Sequence, residues 1–161
     1  MATQLSTNRY DGIYASTIVR TQETAAPLAQ ALGEPVTVLP GLREIEAGQN
    51  EGRPEANAQQ FLAPSAWPHG DRTARIPGSI NGNEFEQRFN DAVNTIYDTG
   101  ETNPVVFSHR EAIMFWVLMN AKNADMSLAN NPLPNTAYVV LTGNPRDGWT
   151  LNNWSGTPVP A

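Results

Sequence analysis

Four side chains in this 161-residue chain combine a type and a setting that can do chemistry: Arg20, Glu44, His69 and His109. Arg20 comes after a short apolar run, Tyr10–Ala15, that is too short for a helix and long enough for a buried strand. Ser16 and Thr17 end that run, and either hydroxyl can cap the next helix. From Ile18 the apolar positions Ile18, Ala25, Leu28, Ala29 and Leu32 fall at helical spacing, with Gly33 at the place of a C′ residue. Arg20 therefore falls in the first turn of a helix that begins at the carboxyl end of a strand. Free N–H groups and a positive partial charge collect anions there, and a guanidinium adds forked donors that match phosphate oxygens. Taken alone, a solvated surface arginine fits the same residue. His109 has a comparable setting: Pro104–Phe107 (PVVF) is a strand pattern, Ser108-His109 a break, and Glu111–Met119 a strongly apolar helix. Open α/β sheets bind ligands at such strand ends, although a hydrogen-bonded structural histidine also fits. Glu44 stands in a glycine-flanked loop and suits either proton transfer or simple solvation. His69, in a proline-rich segment, reads as a surface residue.

The elements that must position these groups emerge from the same patterns. Pro35–Leu39 is a β-branched strand candidate ending at Pro40-Gly41, and Gly41–Gly52 reads as a loop. Residues 54–82 are rich in Pro, Gly, Ala and Ser, with Phe61 and Trp67 as lone anchors, the pattern of a functional lid or an insertion. Asn83–Tyr97 is the best amphipathic helix, with Phe85, Phe89, Val93 and Ile96 as its stripe, Asn83 as its cap and Glu84 and Glu86 in its first turn. Gly100 closes it. Thr136–Thr142 and Trp149–Trp154 make an antiparallel hairpin, and the first residues, with Ala2 and Leu5 on one side, read as the tail of a helix. A helix-covered α/β sheet in one domain results, with no internal repeat.

Composition narrows the function. Ten Lys+Arg against sixteen Asp+Glu give a net charge of −6, which argues against nucleic acid and anionic membranes as partners. A small phosphorylated molecule needs only a few convergent cations. Without cysteine there is no disulfide, thiolate nucleophile or Cys-type zinc site, and two histidines are too few for a His-rich metal centre. No run approaches the roughly 18 apolar residues of a membrane span, and no basic-then-apolar leader opens the chain. Both cytoplasm and export stay open as compartments.

Three segments taken together, YASTIVRTQETAAPLA, GLREIEAGQNEG and VVFSHREAI, resemble the histidine phosphatase superfamily, the phosphoglycerate-mutase-like proteins, in family order and over nearly the whole chain. The family's S-x-x-x-R-x-x-x-T-A segment is matched by Ser16, Arg20, Thr24 and Ala25, which implies that Arg20 binds phosphate. Its L-x-E-x-x-x-G-x-x-E-G loop is matched by Leu42, Glu44, Gly48, Glu51 and Gly52, which implies that Glu44 donates the proton. Its second phosphate-site histidine is matched by His109. The resemblance implies no metal and no cofactor, and a three-layer α/β/α fold whose mostly parallel sheet has strand order 3-2-4-1-5-6.

The departures are equally specific. The family opens with a strand ending in Arg-His-Gly, whose histidine attacks phosphorus, and this sequence contains no Arg-His-Gly. His69-Gly70 comes after Pro68 and lies in the wrong segment. The expectation is a shortened, inactive family member whose first, central strand is missing, with Met1 falling inside the family's first helix. Bare sheet edges then favour re-pairing of the hairpin with Pro104–Phe107, or a strand-swapped homo-oligomer. Arg110, where the family commonly has glycine, adds a phosphate ligand or blocks the entrance. Two functions are thereby expected: a phosphomonoesterase, or a non-catalytic anion-binding or interaction module that kept Arg20 and His109.

Overall fold

Strand β1 (Gly12–Ala15) is buried at all four residues, which fits an apolar run with a parallel neighbour on each side. The structure, a computed structural model, describes residues 9–46, 48 and 62–161, with only the backbone at Leu62. The expected N-terminal helix tail with Ala2 and Leu5, the motif residues Glu51 and Gly52, and the Phe61 anchor lie outside the described residues. The chain divides into two compact units, residues 1–43 with 89–109 and residues 44–88 with 110–161.

In the first unit, β1 lies between β2 (Val36–Val38) and β3 (Pro104–Phe107), all parallel, in the order β2-β1-β3. This is the 3-2-4 portion of the expected order. Register pairs Ala15 with Val38 on one side and with Phe107 on the other, so the three carboxyl ends finish level. Helix α1 (Val19–Leu32) lays Ala25 and Leu28 against Ile13 and Ala15, with Leu32, Val36, Val105 and Phe107 packed around them. It ends at Gly33, whose φ of 69° is the left-handed cap conformation a Cβ resists. Neither expected cap residue caps α1: the flanking position is Ile18, whose side chain has no acceptor, and the Ser16 hydroxyl accepts the N–H of Ile18 itself rather than one from the first turn. The amino end of β1 is held by Asp11, whose carboxylate accepts the Thr102 and Asn103 N–H groups at 2.7 and 2.8 Å. A Cβ on Gly12 would collide with the Glu101 carboxylate, which accepts the Tyr14 hydroxyl at 2.7 Å.

The second unit is built around Trp67. A short helix α2 (Leu62–Ala66) and a 3₁₀ turn, Trp67–His69, lead the fully buried indole onto the Phe85 and Phe115 rings, at 5.4 and 5.9 Å between centroids. Helix α3 (Gly82–Asp98) contributes its residues up to Arg88 here and the remainder to the first unit. Its cap is Asn81, not Asn83: Asn81 Oδ1 accepts the Glu84 N–H while Glu84 reaches back to the Asn81 N–H, a reciprocal capping box. The α3 stripe is Phe85, Phe89, Ala92 and Ile96; Val93, one position round the helix, is half-buried. Glu86 departs from its expected helix-dipole role and pairs with Arg72.

Helix α4 (Arg110–Asn120) buries Ala112, Met114, Phe115, Trp116 and Val117. Strands β4 (Val139–Asn144) and β5 (Gly148–Trp154) form the expected hairpin, with β6 (Thr157–Pro158) added to β5. β4 starts later than expected because Thr136 has a φ of 66°, which a strand residue cannot adopt. The expected re-pairing of the hairpin with Pro104–Phe107 does not occur: β4-β5-β6 is a separate sheet among the described residues, and β5 takes β6 as its second partner. Among the described residues no helix is long and apolar enough to cross a membrane.

Candidate active site

Ser16 and His109 meet because β1 and β3 are parallel and end in register. The Ser16 N–H continues the ladder to the Phe107 carbonyl at 3.2 Å, so the residues just beyond each strand are neighbours. Ser16, Thr21 and His109 are the buried polar residues described, at 0, 5 and 4 % exposure, whereas Arg20 is exposed. Burial of that kind demands hydrogen-bond partners, and each has them. Ser16 Oγ lies 2.8 Å from His109 Nε2 and 2.9 Å from Thr21 Oγ1, and accepts the Ile18 N–H at 3.2 Å. Thr21 Oγ1 donates to a carbonyl, Ile18 at 2.8 Å or Ser16 at 3.2 Å. Arg20 Nη2 lies 3.0 Å from His109 Nδ1. A guanidinium has only donors, so Nδ1 accepts and His109 is neutral with its proton on Nε2. That protonation also removes a nucleophilic-serine reading: a general base for Ser16 would need the Nε2 lone pair, which here carries hydrogen.

The positioning is local in origin. Thr21 and Arg20 stand in the first turn of α1, the positive end of the helix dipole, where anions are favoured. Thr24 turns its hydroxyl to the Arg20 carbonyl at 2.8 Å, one helical turn back. Ser108 anchors the bend before His109 by donating to the Leu42 carbonyl at 2.6 Å.

In the second unit, Glu44 is held at the start of α4. Its Oε1 accepts the Ala112 N–H at 2.8 Å and the Ile45 N–H at 3.0 Å, and its Oε2 accepts the Glu111 N–H at 3.2 Å. Arg88 Nη2 donates to the Glu44 carbonyl at 3.0 Å, and the Ser79 hydroxyl to the Glu46 carbonyl at 2.6 Å. Gly48 has a φ of 56°, and a Cβ there would strike the Pro77 carbonyl, so this motif glycine has a backbone reason to be glycine. Arg110 is the exposed first residue of α4. His69 ends the 3₁₀ turn, exposed as expected.

Arg20 and His109, then, are brought into contact, while Glu44 caps a helix in its own unit. Ser16 was legible as a capping hydroxyl and as the serine of its motif, and Thr21 was not singled out at all, since nothing in a one-dimensional pattern pairs residue 16 with residue 109. Among the described residues no three of His, Asp or Glu form a cluster that could hold a metal ion.

Comparison with known proteins gives a consistent answer. The family model described as histidine phosphatase superfamily, branch 1, matches residues 1–157. PE-PGRS family protein PE_PGRS11 of Mycobacterium tuberculosis is 42 % identical over 168 residues; the match takes in 93 % of this chain and only 29 % of that protein's length. A mycobacterial glucosyl-3-phosphoglycerate phosphatase solved with inorganic phosphate is 22 % identical with a TM-score of 0.74, over 97 % of this chain and 82 % of that one. The alpha-ribazole phosphatase of Shigella flexneri is 20 % identical with a TM-score of 0.70, over 99 % and 82 %. At those identities the solved structures speak for the shared α/β fold.

Proposed function

The chain belongs to the histidine phosphatase superfamily, and we propose that it carries the phosphate-binding part of a phosphomonoesterase. The observation that carries this reading is the Arg20–His109 pair at the level carboxyl ends of β1 and β3, beside the first turn of α1. Arg20 supplies forked donors to phosphoryl oxygens, His109 orients it, and Arg110 offers a further cation. Glu44 is the proposed proton donor to the leaving oxygen. In the family mechanism the histidine of Arg-His-Gly attacks phosphorus, the acid protonates the departing alcohol, and water discharges the phosphohistidine. Phosphorylated small molecules are the proposed substrates, in keeping with the phosphatases of the same fold.

These 161 residues contain no Arg-His-Gly, so by themselves they are proposed to bind phosphate without turning over its esters. A second reading, an anion-binding module, is favoured by one observation: the Glu44 oxygens are taken up by three backbone N–H groups. Hydrolysis of an aryl phosphate separates the two. The phosphatase reading expects turnover only when a strand ending in Arg-His-Gly is supplied ahead of residue 1, and loss of that turnover in Glu44→Gln. Phosphate binding without turnover in the extended chain supports the binding module. Turnover by the 161 residues alone that disappears in His109→Ala would make His109 itself the nucleophile and overturn the account. A strand-swapped dimer through the outer edge of β3 is the proposed form of self-association, and sedimentation at rising concentration tests it.

A further inference from the structure

We infer that Ser16 and Thr21 are positioning residues that hold His109 in its Nε2–H form and, through the Nδ1 lone pair that faces Arg20, fix where Arg20 points; this rests on Arg20 being the phosphate ligand proposed above. The direction of every bond in the relay is determined from both ends. At one end Thr21 has a single hydroxyl proton and two carbonyls to receive it, Ile18 at 2.8 Å and Ser16 at 3.2 Å. Thr21 Oγ1 therefore accepts from Ser16 Oγ, 2.9 Å away. Ser16 has then spent its only proton, so it accepts from His109 Nε2 at 2.8 Å as well as from the Ile18 N–H. At the other end the Arg20 guanidinium, a donor only, requires a lone pair on Nδ1. Both ends demand the same tautomer.

The arrangement explains why a fully buried serine and a nearly buried threonine stand beneath an exposed arginine. An arginine side chain on the surface samples many rotamers and loses that freedom on binding an anion. An acceptor at Nδ1 holds the guanidinium beforehand, which lowers the cost of binding. With Thr21→Val the Ser16 proton loses its acceptor and turns to His109 Nε2; the ring proton moves to Nδ1, where it opposes the Arg20 N–H. Thr21→Ser restores the acceptor.

Nitrogen-15 spectra of the imidazoles in the whole chain, at about pH 8 where an ordinary histidine is neutral, test this directly. The sequence has only two histidines, and exposed His69 serves as the internal reference. The expected result is a protonated Nε2 and a bare Nδ1 for His109 in the native chain. Thr21→Val is expected to shift it toward Nδ1–H and Thr21→Ser to return it. Inorganic phosphate affinity, measured alongside, is expected to fall about threefold to tenfold in Thr21→Val, the worth of one lost hydrogen bond, and to recover in Thr21→Ser. Ser16→Ala, which removes the link itself, gives the same test by a second route. A native His109 protonated on Nδ1, or one whose tautomer ignores both Thr21→Val and Ser16→Ala, overturns the inference whatever phosphate does. A tautomer that responds as expected while phosphate binding ignores Arg20→Ala supports the relay and refutes the phosphate site instead.

Discussion

Glu44→Ala isolates the one carboxylate whose structural and chemical duties can be weighed against each other. Its oxygens accept the N–H groups of Glu111 and Ala112 at the first turn of α4, together with that of Ile45. Losing a cap of this kind costs about 1 kcal/mol. Removing a negative charge from a helix N-terminus costs about 0.3–1 kcal/mol more, toward the upper end for a partly buried group such as this. The expected destabilisation is therefore about 2 kcal/mol, and at about 2–4 °C per kcal/mol for a chain of this size Tm falls by about 4–8 °C. Glu44→Gln keeps one acceptor for the Ala112 N–H and loses the charge, so about half that shift is expected. Thermal unfolding by circular dichroism measures the global effect, and amide exchange the local one. The Glu111 and Ala112 amides should exchange up to about 30-fold faster in Glu44→Ala. Unchanged Tm with unchanged exchange at those two amides would refute the capping role. A stable Glu44→Gln that has lost turnover in the extended chain would assign Glu44 to catalysis.

Two glycines are expected to respond to alanine for different reasons. Gly82→Ala places a methyl 2.7 Å from the buried Trp67 ring and 3.1 Å from the Arg72 backbone, so about 1–3 kcal/mol is lost to overpacking; Gly33→Ala meets no neighbour and costs about 1 kcal/mol for its left-handed backbone, both read by denaturant titration. Asn81→Ala breaks the capping box of α3 and is expected to lower stability by about 1 kcal/mol by the same measurement, with Asn81→Asp retaining most of it. The Asp11 carboxyl is held below its ordinary value, above all by the Thr102 N–H, with the Asn103 N–H and the Thr102 hydroxyl adding to it against the opposing effect of desolvation. A lowered folded value means that its stabilisation is present above the unfolded carboxylate range and is lost as pH falls through the folded value. Asp11→Asn should accordingly flatten the acid limb of the stability–pH curve, and an unaltered limb would contradict this.

The elements that were readable along the chain are those whose cause is local. The strand at β3, the stop at Gly33 and the hairpin each arise from a run, a turn residue or a spacing within a few positions. The cap of α3 escaped because Asn81 and Asn83 both suit the role by type, and only the Glu84 reach-back decides for Asn81. Ala92 replaced Val93 on the buried face because a stripe assigned by hydrophobicity overlooks a small residue at the more central angle. Within the candidate site, Arg20 and His109 stood out by their placement after strands, whereas Ser16 became a partner of His109 across 93 residues of chain through strand register alone. Glu44 was expected as an acid from its motif, yet its helix-capping bonds depend on where α4 begins, a feature of tertiary structure.

Calorimetric titration of the chain with inorganic phosphate, repeated on Arg20→Ala, tests the central claim most directly. Arg146→Ala, at an exposed turn of the hairpin, removes the same charge elsewhere and serves as the control. The expected result is one phosphate per chain, a loss of about tenfold or more in Arg20→Ala, the worth of a charged hydrogen bond, and little change in Arg146→Ala. Equal losses in the two variants, or undiminished binding without Arg20, would contradict it.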